Sequence, residues 1–104
     1  MGLEKGLVRP PAVAGIFYPS NSKELAATVK SYLSQASVEF GLSNVLPPKA
    51  IIAPHAGYVY SGLTAAAAYN SLKSVREKIC RVIMLGPCHR VAVSGLALPS
   101  AQIF

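Results

Sequence analysis

The chain has 104 residues, ten Lys and Arg against four Glu and no Asp, and a formal charge of +6. Hydrophobic residues make up 52% and charged ones 13%, which excludes a disordered tail and demands a buried surface. Glu4, Glu24, Glu39 and Glu77 are scattered, so carboxylate-pair chemistry of the glycosidase or aspartic-protease kind has nothing to rest on. Cys80 and Cys88 are too few for a disulfide framework and form no CxxC, which fits a reducing, cytoplasmic setting. The N-terminus MGLEKGLVRPP has no apolar core of a signal peptide. Gly6 stands where a myristoylation signal needs Ser or Thr.

Taken in chain order, Val8 to Pro19 carries three prolines and a glycine and predicts an irregular opening. Asn21 then predicts a helix N-cap, with Glu24 placed for a capping box. Leu25, Val29, Leu33 and Ala36 form one apolar stripe on that helix, with Lys23, Glu24 and Lys30 off it. Gly41 and Pro47-Pro48 mark a connection. Ala50–Ala53 predicts a short buried strand stopped by Pro54, and the alanine-rich stretch 61–72 predicts a helix able to pack closely on a sheet. Ile79–Leu85 predicts a second buried strand, ended by Gly86-Pro87, and 92–98 a third. Strand, helix and strand make a βαβ unit with a right-handed crossover. The 23 residues from Ala50 to Leu72 lack Lys, Arg, Asp and Glu, the length of a membrane span. Pro54, His55, Gly57, Ser61, Gly62 and Asn70 interrupt them, so no membrane segment is predicted.

His55 follows the first predicted strand and His89 the second. Parallel strands end at one sheet edge, where open α/β sheets bind ligands, so both histidines should face one crevice. Two imidazoles plus one further ligand, with positions left open, describe a non-haem iron or catalytic zinc site. The alternative is that each His bonds a loop carbonyl. Gly57–Thr64 follows the P-loop pattern except that Leu63 replaces its Lys, which argues against a bound nucleotide. What remains is a turn whose hydroxyls cap the helix, or free amides able to hold a carboxylate or phosphate. Phe17, Tyr18, Tyr58 and Tyr60 are the candidate aromatic lining. Cys88, beside His89 and Arg90, could be a ligand or a reactive thiol, whereas Cys80 is expected to be buried and inert. Lys73, Arg76, Lys78 and Arg81 lack a basic run or RNA-binding aromatics and predict a solvated turn, so no nucleic-acid partner is expected.

Three blocks, RPPAVAG with FYP (9–15 and 17–19), AIIAPHAGY (50–58) and LGPCH (85–89), resemble the Memo family. Its bacterial and archaeal branch, the AmmeMemoRadiSam system protein B, is the nearest in pattern. The resemblance implies that residues 1–104 are the N-terminal portion of a single α/β domain. Its three-layer sheet fold would be similar to class III extradiol dioxygenases. It implies that His55 and His89 are two of the metal ligands, with the third beyond residue 104. Phe17, Tyr58, Tyr60, Cys88 and Arg90 would then belong to the pocket. Iron or copper is the implied cofactor, with zinc a further candidate, and the implied activity is a dioxygenase-like oxidoreductase acting on a small molecule. The alternative is a non-catalytic module that binds an anionic peptide, such as a phosphopeptide, through the same pocket. Val13 and Arg90 depart from the animal pattern, which has histidines there. The animal third ligand is a cysteine.

Overall fold

The computed structural model describes residues 6–41 and 46–104. The N-terminal signal readings and Glu4 therefore lie at least partly outside the described residues, as does most of the connection after Gly41. The chain divides into two compact units, Val13–Cys80 and the residues up to Ala12 with Arg81–Phe104.

Val13–Cys80 is built on two helices. The first, α1 (Ser22–Phe40), starts where expected: the Asn21 side-chain oxygen accepts from the amides of Lys23 and Glu24 at 3.0 and 3.1 Å. Two of the amides that no helical carbonyl can reach are thereby satisfied. Its end is also as read, since Gly41 adopts φ 54° and its amide returns to the Ser37 carbonyl. Such a positive φ costs glycine little, which is why a glycine closes the helix.

The second helix, α2 (Tyr58–Asn70), begins three residues before the predicted start at Ser61 and ends before the predicted Leu72. Gly57 and Pro54 limit it upstream, and Tyr58, Val59 and Tyr60 are helical despite their bulk. Among the described residues α2 packs on α1, not on a sheet. Ala36 is fully buried and Ala66 nearly so (6% exposed), because small side chains let the two backbones approach. Gly62 serves the same end, as a Cβ there would fall 2.8 Å from Tyr32 Cε2.

Asn70 fastens the far end of the pair. Its buried side-chain amide donates to the Leu33 carbonyl at 2.8 Å and to Ser37 Oγ at 3.1 Å. No buried side-chain nitrogen or oxygen among the described residues lacks a partner. Asn70→Ala removes both bonds from a buried place, and we expect a loss of about 1–3 kcal/mol. Urea unfolding followed by circular dichroism measures it; an unchanged midpoint would show that Asn70 does not join the helices.

A short 3-10 helix, Lys73–Lys78, follows α2. Lys73, Arg76 and Lys78 are exposed on it, as the solvated-turn reading expects. The Arg76–Glu77 pair at 3.2 Å is itself solvent-exposed and adds little stability.

The predicted strands are where sequence and structure part. Among the described residues there is no strand; 50–53, 79–85 and 92–98 have neither helix nor ladder. A strand exists only when a neighbour takes up its amides and carbonyls, and these segments have no such neighbour here. Ile83 is 90% exposed and Leu98 93%. Cys80, expected to be buried, is exposed for the same reason, with its thiol 3.7 Å from the Lys78 carbonyl.

The other unit is held by its two ends. The Arg9 amide donates to the Ile103 carbonyl at 2.8 Å, and the amides of Gln102 and Ile103 donate to the Leu7 carbonyl. These bonds form an isolated parallel bridge between Val8 and Ile103. No helix among the described residues is long and apolar enough to cross a membrane.

Candidate functional site

The site is assembled at the start of α2. The irregular opening predicted before Asn21 folds into a tight turn: the amides of Ile16 and Phe17 donate to the Val13 carbonyl, and that of Gly15 to the Tyr18 carbonyl. Gly15 takes φ 79°, a value that side-chain-bearing residues rarely adopt, so the turn needs a glycine there. The turn then meets α2 through the Phe17 carbonyl, which accepts the Tyr58 amide at 2.8 Å. Within α2, the Ser61 hydroxyl donates to the Ala56 carbonyl at 2.8 Å, fixing the loop that follows His55.

These contacts close a recess of about 190 Å³, lined by Phe17, Tyr18, Pro54, His55, Tyr58 and Ser61 among others. A larger apolar recess of about 430 Å³ lies between α1 and α2, lined by Val29, Tyr32, Leu33 and Tyr69. The two share Pro54, Tyr58, Gly62 and Ala65. The Tyr58 ring stands 5.6 Å from that of Tyr18 and 6.3 Å, edge to face, from that of Tyr32. Those spacings are ordinary for favourable aromatic pairs.

Of the residues picked out in the sequence, the structure brings Phe17, Tyr18, His55 and Tyr58 to one place. Tyr60, one turn into the same helix, is 87% exposed and is not part of that lining. Cys88, His89 and Arg90 are exposed and belong to the other unit. The start of α2 is not a nest of free amides: those of Tyr58, Tyr60 and Ser61 are bonded to the Phe17 and Gly57 carbonyls. Nor does Ser61 cap the helix, since its hydroxyl donates backward instead.

Among the described residues no three or more His, Cys, Asp or Glu gather so as to hold a metal ion. Catalytic metals need three or four protein ligands, so these residues do not complete such a site by themselves. Sequence reasoning missed Tyr32, although it lies on the apolar stripe, three residues after Val29 and seven after Leu25. It also missed Asn70, whose signal was a polar residue in a long uncharged stretch.

A small helical unit presenting one histidine among aromatics is a recess that many proteins could carry, so comparison with known proteins is decisive. The family described as Memo-like protein matches residues 9–104. The chain belongs to the Memo family. It is 42% identical over 99 residues to a MEMO1 family protein of Thermoplasma volcanium, 94% of this chain and 32% of that one. A MEMO1 family protein of Aquifex aeolicus is 42% identical over 92 residues, covering 88% of this chain and 30% of its own. Protein MEMO1 of Xenopus tropicalis is 41% identical over 100 residues, covering 96% and 31%. The chain thus spans about a third of the length of the curated relatives it matches. No solved structure matches it.

Proposed function

We propose that this chain forms the N-terminal portion of a Memo-like α/β domain. In that domain His55 and His89 supply two ligands of a non-haem metal centre. The observation that carries this reading is the recess itself: the histidine of the PHAGY block sits with Phe17, Tyr18 and Tyr58 in a chain of the Memo family. In the complete domain 50–53, 79–85 and 92–98 become strands, because further chain provides the ladder partners they lack. Parallel strands would then carry His55 and His89 to one sheet edge. Imidazole nitrogen suits iron, copper and zinc. Such a metal, when bound, supplies redox or Lewis-acid chemistry. The chain's own part is to present neutral imidazoles and to hold an aromatic ring against Phe17 and Tyr58. The Ser61 bond keeps the loop after His55 in place meanwhile. Dioxygenase-like oxidation of a small electron-rich ring in a cytoplasmic protein is the activity we assign. Cys88 and Arg90 flank His89 in sequence and stand beside that ligand in this reading.

The second reading, a module that binds an anionic peptide, is favoured by Arg90 and opposed by the start of α2, where a phosphate would have to displace the Phe17 carbonyl. The test is metal content and oxygen uptake with a catechol, measured on the complete protein before and after chelation. Stoichiometric metal with chelator-sensitive uptake supports the oxidoreductase. A metal-free protein that binds phosphopeptide regardless of chelator overturns it.

A further inference from the structure

We propose that Tyr32, on α1, is a positioning residue for the His55 recess, acting through Tyr58, and that Gly62 makes the room it needs. Tyr58 is the one aromatic residue among the four that line both the His55 recess and the recess between the helices. Its backbone is held by the Phe17 carbonyl, but a backbone bond leaves the side-chain torsions free. Neighbouring rings therefore set where the Tyr58 ring stands. Tyr18 is one, in the turn that lines the recess; Tyr32 is the other, from a helix that contributes nothing else to it. Tyr32 meets Tyr58 at an interplanar angle of 84°, the edge-to-face arrangement that ring quadrupoles favour.

Tyr32 reaches that position because residue 62 has no Cβ. A side chain there would come within 2.8, 2.9 and 3.1 Å of three Tyr32 ring atoms, and the ring would have to move. Any glycine in a helix interior is unfavourable compared with alanine, so this one is explained by the ring it admits. The consequence is a fixed ring at the border of the two recesses. With the Tyr58 ring held, the recess of about 190 Å³ beside His55 keeps that part of its lining in place. A planar aromatic group is the ligand that this ring, beside Phe17 and Tyr18, would receive. This use of the recess rests on the reading given under Proposed function; the positioning itself does not.

The experiment is nuclear magnetic resonance of the complete protein without metal, following the His55 imidazole and Tyr58 ring signals in Tyr32→Phe, Tyr32→Ala and Gly62→Ala. Circular dichroism runs in parallel. Because the Tyr58 ring and His55 face one recess, a turned ring changes the ring-current shift at the imidazole. Tyr32→Phe, which keeps the ring, should leave the His55 signals in place. Tyr32→Ala should move both His55 and Tyr58 signals beyond their linewidths. Gly62→Ala should move them too, although alanine favours the helix and helicity is kept or raised. Should Tyr32→Ala fail to fold, Gly62→Ala decides alone. A helical Gly62→Ala or Tyr32→Ala variant with unmoved His55 signals would overturn the proposal, as would Tyr32→Phe shifting them as far as alanine does. Metal content plays no part in the readout, so a failed metal reading and a failed positioning role are told apart.

Discussion

Replacing His55 or His89 by alanine in the complete domain is expected to abolish tight metal binding, with affinity falling by at least about 100-fold. Even outer partners that merely orient metal ligands cost 10–100-fold when removed, and a ligand itself must cost more. The two remaining ligands cannot enforce a catalytic geometry, so the double variant should be little worse than either single one. Cys88→Ser should do much less, because the family resemblance places the third ligand elsewhere. The sign with pH follows from the ligand chemistry: coordination needs the neutral imidazole, so affinity falls as pH is lowered. Elemental analysis of purified wild type and variants is the measurement. Stoichiometric metal in His55→Ala would remove the two-histidine site and strengthen the peptide-binding reading.

The second large effect concerns apolar surface. Val82, Ile83, Met84 and Leu85 are all exposed, as are Leu96 and Leu98. Contiguous apolar surface of this kind is rare on a soluble monomer, and unpaired backbone beside it templates association. The 104-residue chain alone should therefore bind a hydrophobic dye strongly and elute as larger species on size exclusion. Val82→Lys with Met84→Lys should reduce both signals, since charge on an exposed edge blocks pairing. A sharply melting monomer that ignores the dye would mean these segments are covered within the chain, and the proposed sheet would lose its reason.

Residues speaking for their own neighbourhood were legible from sequence alone. Asn21 capped α1 and Gly41 closed it, because both act through bonds within a few residues of themselves. The stripe ending at Ala36 marked the side of α1 that meets α2, where Ala36 alone is buried, and the blocks around His55 and His89 pointed to the family that the comparisons then returned. The start of α2 was less legible: Gly57 to Tyr60 read as the turn before a helix starting at Ser61, whereas the Phe17 carbonyl, far off in sequence, takes the Tyr58 amide and lets the helix begin early. Tyr32, Gly62 and Asn70 likewise gained their roles from the packing of one helix on another, which no local pattern states. The strands lay furthest from local control. A β-branched run such as 79–85 carries the preference for a ladder, but the partner that completes its hydrogen bonds is a tertiary matter. Sequence by itself determined α1 with both its caps, the existence of α2 and the family; only tertiary structure decided where α2 begins and which side chains share the His55 recess, because both depend on contacts between residues distant in the chain.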